Sequence, residues 1–246
     1  MKQLTVPERL IVAADFKPTL PGNQGRMEVA NRTIRLAQSL KDTGIYIKMN
    51  TSLRACGYDL IDHIQGYGIK VFADLKLFDI KETLSTDGMF LRETKPEILT
   101  VACFSGIPAM KALKAELPDT EILGVSVLTN FTNQDCDSMF TFSTENAVKW
   151  FARFIADAGM DGFISAAPHA AMLKEKFGMV MSCNSPAIRP DWAIVKGDDQ
   201  DPSKIVTPTI AIRGGVDRIV VGRTIVNDKD PYAAVMRTLE EISAAL

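Results

Sequence analysis

The chain has 246 residues, of which 46% are hydrophobic and 24% charged, a composition that excludes collagen-like, coiled-coil and disordered proteins. Its 28 basic and 30 acidic residues give a formal net charge of −2, so no surplus of positive charge favours a nucleic acid as partner. No apolar run approaches the roughly 18 residues that span a membrane, and the N-terminal residues lack the apolar core of a signal peptide. We therefore expect a cytoplasmic protein that binds neither nucleic acid nor membrane.

The four cysteines, Cys56, Cys103, Cys136 and Cys183, are too far apart in the sequence for a CxxC motif. Only two histidines accompany them, so a structural zinc site is not expected. We expect all four to be buried free thiols.

Eight segments rich in valine, isoleucine and alanine alternate along the chain with segments of helical periodicity. The predicted strands are Leu10 to Phe16, Ile45 to Asn50, Lys70 to Leu77, Ile98 to Phe104, Glu121 to Leu128, Gly162 to Ala166, Met179 to Asn184 and Arg218 to Gly222. Apolar spacing of three and four residues predicts intervening helices, most clearly over Met27–Ala37, Ala147–Ala158 and Tyr232–Leu246. Because apolar strands alternate with amphipathic helices, we expect a parallel sheet that helices cover.

Eight such units in about 250 residues predict a (β/α)8 barrel, the TIM barrel, with residues 1–246 forming a single domain. An open, doubly wound sheet is the alternative, and it would show a glycine-rich turn after the first strand. That strand instead runs into Ala14-Asp15-Phe16-Lys17-Pro18, which has no GxGxxG motif. In a barrel, catalytic groups lie at the C-terminal ends of the strands, where this sequence also places Asp15, Thr129 and Ser165.

Charged residues at the ends of the second and third strands form the most informative pattern. Residues two apart in a strand share a face, so Asp74 and Lys76 are predicted to point together into the barrel mouth. Lys48 ends the neighbouring strand and should approach Asp74, giving with Asp79 an alternating array of two lysines and two aspartates. The alternative is a buried ion pair that only supports the barrel, but such pairs add little net stability. We therefore predict that the array is catalytic, with a lysine delivering a proton beside a negative group.

The last two units have a different character. Gly222 and Arg223 close the eighth strand, and Pro186 and Arg189 lie in the loop after the seventh. Barrel phosphate sites are often built from these two loops, and an arginine offers paired donors to a phosphate. The long stretch that follows lacks periodicity, which is typical of a lid, a binding loop or a tolerated insertion. We predict a phosphate-binding lid at about residues 187–206.

The residues at these strand ends resemble one family closely, the orotidine 5′-phosphate decarboxylases. The matching segments are, in chain order, Val12-Ala13-Ala14-Asp15, Ile47-Lys48, Phe72 to Ile80, Val127-Leu128-Thr129, Ile188-Arg189-Pro190, Asp199-Gln200 and Ile219 to Arg223. The DLKxxDI element is specific to the family, whereas the other segments support the resemblance through the order in which they occur. The resemblance implies a carboxy-lyase that converts orotidine 5′-monophosphate to UMP and CO2 in de novo pyrimidine biosynthesis, without a metal or other cofactor.

The resemblance also implies roles for individual residues. Lys76 would protonate C6 of the pyrimidine, with Asp74 beside the substrate carboxylate and with Lys48 and Asp79 completing the catalytic array. In a homodimer, Asp79 and Thr83 would reach the partner's site. The residues implied to contact substrate are Asp15, Lys48, Asp74, Asp79, Ile80, Thr83, Thr129, Pro186, Arg189, Gln200, Gly222 and Arg223.

Within that set, Asp15 and Lys48 would hold ribose hydroxyls, and Thr129 would contact the pyrimidine edge. Gln200, Gly222 and Arg223 are implied to hold the phosphate, and Arg189 to belong to the closing phosphate loop.

The chain departs from the family pattern in three places. Lys81-Glu82-Thr83 stands where the family commonly has Pro-Asn-Thr, which keeps Thr83 but changes the turn. Ala187 replaces the glycine usual before Ile-Arg-Pro, which affects the backbone of the phosphate loop. Extra residues also separate Gln200 from Ile205-Val206-Thr207-Pro208.

Two other functions compete with decarboxylation of this substrate. A metal-dependent sugar-phosphate decarboxylase or aldolase of the same barrel lineage would have a similar third strand. A noncatalytic nucleotide-binding module would bind UMP without turnover, and the charged third strand disfavours it.

Overall fold

In the computed structural model, which describes residues 3–177, 181–194 and 206–246, eight parallel strands close into a barrel in chain order. The strands are β1 Leu10–Ala13, β2 Tyr46–Met49, β3 Lys70–Leu77, β4 Ile98–Ala102, β5 Glu121–Val125, β6 Gly162–Ile164, β7 Ser182–Ser185 and β8 Arg218–Val221. Closure comes from β1, which pairs with both β2 and β8. The predicted (β/α)8 barrel is thus confirmed, and the open doubly wound sheet is excluded.

Several strands end earlier than predicted. β1 ends at Ala13 rather than Phe16, and β5 ends at Val125 rather than Leu128. The ladder between β1 and β2 stops at Ala13 and Lys48, after which the chain must leave the sheet to reach the next helix. Asp15 and Thr129 therefore lie on loops above the barrel. The predicted start of the seventh strand, Met179, lies outside the described residues.

Helices cover the outside of the barrel. Within the described residues they are α1 Gly22–Ser39, α2 Thr51–Cys56, α3 Asp59–Gln65, α4 Lys81–Thr94, α5 Ile107–Glu116, α6 Asn133–Phe140, α7 Thr144–Asp157, α8 Ala170–Phe177, α9 Pro208–Arg213, α10 Arg223–Val226 and α11 Pro231–Ala245. None of the helices in this part of the chain combines the length and hydropathy that crossing a membrane requires.

The strands separate two apolar cores because successive side chains point to opposite faces. Val12, Ile47 and Val71 point outward and belong to the large core between strands and helices. The inward-pointing core fills the barrel with Ile11, Ala13, Tyr46, Phe72, Ile98, Leu123 and Val220. Above this filled interior, the barrel opens into a cavity at its C-terminal mouth.

The third strand has an irregularity near its end. Ala73 pairs with Leu99 and Leu77 pairs with Val101, so four steps along β3 match two steps along β4. Within this bulge Lys76 has a φ of 49°, in the left-handed region that a lysine seldom adopts. The backbone of the third strand is thus distorted at the residue predicted to be catalytic.

At the N-terminal end of the barrel, the buried Arg218 forms an ion pair with the half-buried Glu121. Arg218 is 4% exposed, and its two terminal nitrogens donate to the carboxylate oxygens of Glu121 at 2.8 and 2.7 Å. Asn184 accepts a further bond from Arg218 at 3.2 Å. These charges support the barrel at the end opposite its mouth.

All four cysteines are free thiols, as predicted. Cys103, Cys136 and Cys183 are buried, but Cys56 is only half-buried because it is the last residue of the short helix α2. The prediction of burial was therefore wrong for Cys56.

Candidate active site

A cavity of about 540 Å³ opens at the C-terminal mouth of the barrel, where the sequence placed the functional groups. The predicted site residues that line it are Asp15, Lys48, Asp74, Lys76, Thr129, Pro186, Arg189, Gly222 and Arg223. They come from the ends of β1, β2, β3 and β8 and from the loops after β5 and β7. The closed barrel brings together residues that are up to 208 positions apart in the sequence, from Asp15 to Arg223.

Four of these residues form a chain of alternating charge. The Lys48 ammonium lies 2.8 and 3.0 Å from the two carboxylate oxygens of Asp15 and 3.2 Å from Asp74 Oδ2. The Lys76 ammonium lies 2.7 Å from both oxygens of Asp74. The order within this chain is therefore Asp15, Lys48, Asp74 and Lys76.

Asp74 lies at the centre of the charged group and is only 6% exposed. Besides the two lysines, Thr100 Oγ1 donates to Asp74 Oδ1 at 3.0 Å, and Asn50 Nδ2 donates to Oδ2 at 3.4 Å. Burial alone would raise the pKa of the Asp74 carboxyl, but attraction to Lys48 and Lys76 outweighs burial and holds that pKa below its ordinary value. Asp74 is thus kept ionised as a fixed negative charge beneath the cavity.

Asp79 does not belong to this chain of charges, contrary to the predicted array. It is exposed, and its Oδ1 accepts a bond from the backbone N–H of Ile80 at 2.7 Å. Among the described residues, no lysine or arginine of the same chain pairs with Asp79, and neither Asp79, Ile80 nor Thr83 lines the cavity. These three residues lie between the end of β3 and the first turn of α4, outside this cavity, and the second aspartate that bonds Lys48 within the chain is Asp15.

The side of the cavity between β7 and β8 carries two arginines. Arg189 and Arg223 both line the cavity, together with Pro186 and Gly222. Ile188 forms a parallel bridge with Val206, so the two described ends of the predicted lid lie side by side.

Gln200 and most of the predicted lid, residues 195–205, lie outside the described residues. Ala187, where the family usually has glycine, has a φ of 63°. The loop thus adopts a left-handed conformation at a residue that has a Cβ.

The rest of the cavity wall is mostly apolar, and no contact with substrate was predicted for its apolar side chains. Its apolar members are Ala13, Phe72, Val125, Val127, Leu128, Ile164, Ala187, Ile188, Val220 and Val226. Phe72 precedes Asp74 by two positions and shares its face, a spacing that could have identified it. Asn130 and Thr224 add polar groups at the rim. Ser165, which the strand pattern placed at the mouth, is 1% exposed and lies outside the lining.

The sequence as a whole matches a known family over residues 8–238, described as "Orotidine 5'-phosphate decarboxylase / HUMPS family". The chain belongs to this family. The resemblance drawn from the strand ends is thereby confirmed.

Relatives and solved structures of the family agree with this membership. A protein of Methylobacterium sp. (strain 4-46) named orotidine 5′-phosphate decarboxylase is 32% identical over 247 residues, covering 98% of each chain. One of the same name from Streptococcus suis (strain 05ZYH33) is 30% identical, covering 95% of this chain and 96% of that protein. The crystal structure of the Lactobacillus acidophilus decarboxylase matches with a TM-score of 0.77 at 24% identity, over 96% of this chain and 99% of that chain. At that identity the structural match supports the fold alone.

Proposed function

We propose that this family member is an orotidine 5′-phosphate decarboxylase, which converts orotidine 5′-monophosphate to UMP and CO2 in de novo pyrimidine biosynthesis. The observation that carries the proposal is the contact of Lys76 with both oxygens of the buried Asp74 at the floor of the cavity. Family relatives that bear this name over nearly their whole length support it. Such an enzyme would act in the cytoplasm.

Lys76 supplies the chemistry of the proposed step. The bond between C6 of the pyrimidine and the carboxylate carbon breaks, CO2 leaves, and the electron pair stays on C6. The ammonium of Lys76 stabilises this charge and then donates its proton to C6, becoming a neutral amine that water reprotonates. Electrons and proton are thus both accounted for by the substrate, Lys76 and water, so this scheme uses no metal or organic cofactor.

Asp74 and Lys48 hold Lys76 in place for this step. The carboxylate of Asp74 fixes the Lys76 ammonium at 2.7 Å, and Lys48 shares the same carboxylate at 3.2 Å. A group that is held before the reaction needs little reorganisation during it. Asp74 would also face the substrate carboxylate, and Lys48 with Asp15 would hold the ribose hydroxyls.

The two ends of the nucleotide fit the two kinds of cavity wall. The apolar wall around Phe72 and Val125 suits the flat pyrimidine, with Thr129 at its polar edge. Arg189 and Arg223, with Gly222 and Pro186 between β7 and β8, suit the phosphate, because guanidinium groups bind it with paired donors. Binding of the remote phosphate would then help to position the base over Lys76.

The test is a decarboxylation assay on the purified protein, following the loss of orotate absorbance with and without a chelator. Turnover that survives exhaustive chelation supports the proposal. Metal-dependent cleavage of a keto-hexulose phosphate would instead indicate the sugar-phosphate enzyme, and UMP binding without turnover would indicate a binding module.

The sugar-phosphate alternative is not favoured. Both aspartates of the cavity are already bonded to lysines, at 2.8 Å for Asp15 and 2.7 Å for Asp74. Among the described residues no three histidines, cysteines or acidic residues lie together as metal ligands would. The relatives carry the decarboxylase name.

A homodimer completes the proposed site. Asp79, Ile80 and Thr83 lie outside the cavity of their own chain, which suits residues that reach the site of a partner. Phe78 is 67% exposed and Ile80 66%, on either side of Asp79. Phe104 is also exposed after the neighbouring strand β4, so apolar side chains that follow two adjacent strands lie at one edge of the mouth. A second copy of this chain would cover that edge.

Mixing two inactive variants tests this arrangement. K76A retains Asp79 for its partner, and D79A retains Lys76 for its own site. If Asp79 acts across the interface, a mixture of the two should recover about a quarter of wild-type activity, because half of the subunit pairs have one intact site. A mixture as inactive as its components, or a monomer in light scattering, would contradict the homodimer.

A further inference from the structure

The peptide group between Leu75 and Lys76 lies in the bulge of β3, and two side chains hold it. Arg54 Nη2 donates to the Leu75 carbonyl oxygen at 2.7 Å. The N–H of Lys76, at the other end of the same peptide group, donates to Thr100 Oγ1 at 2.9 Å. Because the ladder register jumps from Ala73 to Leu77, neighbouring side chains take over the role of sheet pairing here.

Thr100 links this peptide group to the charged residues below the cavity. Its side chain is fully buried, and its hydroxyl donates to Asp74 Oδ1 at 3.0 Å while accepting from the Lys76 N–H. A threonine hydroxyl has one proton to donate and lone pairs to accept with, so both bonds form at once. Thr100 thus contacts the carboxylate of Asp74 and the backbone of Lys76 through a single atom.

Arg54 reaches the same peptide group from the opposite side of β3. It is on α2, which follows β2, whereas Thr100 is on β4. The side chains therefore approach β3 from both of its neighbouring units. Together they hold Lys76 at its left-handed φ of 49°, the conformation from which its ammonium meets Asp74.

We propose that Thr100 and Arg54 are positioning residues for Lys76, which fix the Leu75–Lys76 peptide group so that the ammonium stays at the reacting carbon. Neither residue lines the cavity, so each acts on the reaction through Lys76 and Asp74. The proposal rests on the proposed decarboxylation. The failure of one can be told from the failure of the other. An inactive wild-type protein would refute the proposed function, whereas an active wild type with equally active variants would refute only the positioning role.

The main experiment compares T100V, which removes the hydroxyl, with T100S, which keeps it. Because a small displacement of a catalytic group lowers kcat strongly, T100V should lose roughly tenfold or more in kcat with KM changed less than about threefold. T100S should stay within about threefold of wild type. The matched control is T33V, since Thr33 is also fully buried and its hydroxyl donates to the Val29 carbonyl within its own helix α1, away from β3. T33V should keep the wild-type kcat.

The pH dependence of kcat provides a second readout. The Thr100 hydroxyl stabilises the ionised form of Asp74, so its removal should raise the pKa of that carboxyl. Because Asp74 must be ionised to anchor the Lys76 ammonium, kcat should fall in acid as Asp74 is protonated, and this acid limb should move to higher pH in T100V and not in T33V. A T100V variant with wild-type kcat and an unmoved acid limb would overturn the proposal.

Substitution of Arg54 provides a second test, one that does not require changing a buried residue. It is exposed, so R54M should fold, and loss of the bond to the Leu75 carbonyl should lower kcat with little change in KM. R54K should recover part of the loss, because lysine can still donate to that oxygen. The control is R92M, an exposed arginine of α4 that pairs with Glu116. If R54M retains the wild-type kcat, Arg54 has no positioning role and the proposal fails in this form, even if T100V does not fold.

Discussion

The ammonium nitrogen of Lys76 lies 2.7 Å from both carboxylate oxygens of Asp74, the residue two positions earlier on the same strand. In a regular strand these two side chains would point the same way and stand side by side. Here the bulge and the left-handed φ of Lys76 turn its side chain back, so that the ammonium lies symmetrically on the carboxylate. The side chain of Lys76 is 30% exposed and that of Asp74 only 9%, so the proton donor faces the cavity and its anchor lies beneath.

The first prediction concerns Lys76 itself. K76A should abolish decarboxylation, because it removes the ammonium that is proposed to donate the proton to C6. The protein should stay folded, since Asp74 keeps its bonds to Lys48 and Thr100. Turnover is measured by orotate absorbance and folding by circular dichroism. The matched control is K70A, at the opposite end of the same strand, where the lysine pairs with Glu8.

K70A should remain active at temperatures where it is folded. A fully active K76A would remove Lys76 from its proposed role, and loss of activity in a folded K70A would show that any charge removed from β3 is harmful.

Much of this site could be predicted from the sequence because it depends on local rules. Alternation along a strand placed Asp74 and Lys76 together, and the barrel topology placed Lys48 beside them. The departure of Ala187 from glycine also marked a position where the backbone proves to be left-handed. The first two inferences need only neighbours in the chain or in the order of strands, and the third needs only the family's usual residue at that position.

The parts that were missed depend on contacts between distant segments. The pairing of Asp15 with Lys48 was not predicted, because it joins two residues that are 33 positions apart in the chain. Thr100 has no sequence signal, because a threonine in an apolar strand looks like any other β-branched residue. Its role depends on the bulge in β3, and that bulge arises from pairing with β4.

A second prediction concerns phosphate binding. R223A should raise KM by about tenfold or more, because a charge-assisted contact to the phosphate is lost. The effect should nearly vanish for orotidine, which has no phosphate. Steady-state kinetics on both substrates measure the difference.

The control for phosphate binding is R213A, an exposed arginine in the last turn of α9 that does not line the cavity. An equal loss on both substrates would show that Arg223 acts elsewhere than on the phosphate.

A third prediction concerns the strained position Ala187. Its φ of 63° is disfavoured for any residue with a Cβ and is free of strain for glycine. A187G should therefore raise the free energy of unfolding, by up to about 1 kcal/mol after allowance for the greater freedom of glycine in the unfolded chain. The matched control is A112G within α5, where glycine should instead lower stability by about 1 kcal/mol. Urea denaturation measures both, and destabilisation by A187G would contradict the prediction.

A fourth prediction concerns stability in acid. Glu8 is 6% exposed and bonds to the Lys70 ammonium at 2.6 Å, and Thr5 donates to it through both its N–H and its hydroxyl. The bond from Lys70, together with the two bonds from Thr5, lowers the pKa of Glu8 from 4.5 to about 2, against the opposing effect of burial. A carboxyl whose pKa is lower in the folded state stabilises the protein above its unfolded pKa. That contribution is lost as the pH falls from 4.5 towards about 2.

E8Q removes this contribution. At pH 7 its free energy of unfolding should therefore be lower than that of wild type by about 2 kcal/mol, less than the full pKa shift would give because Lys70 is partly exposed to solvent. The difference from wild type should shrink as the pH falls below 4.5, because protonation of Glu8 in the wild type has the same effect as the substitution. Urea denaturation between pH 7 and acid measures this convergence. E145Q is the control, because Glu145 pairs with Lys149 on an exposed helix face and should matter little at any pH. A deficit in E8Q that stays constant down to acid would mean that the amide fails to fit the site, and that the charge of Glu8 contributes nothing.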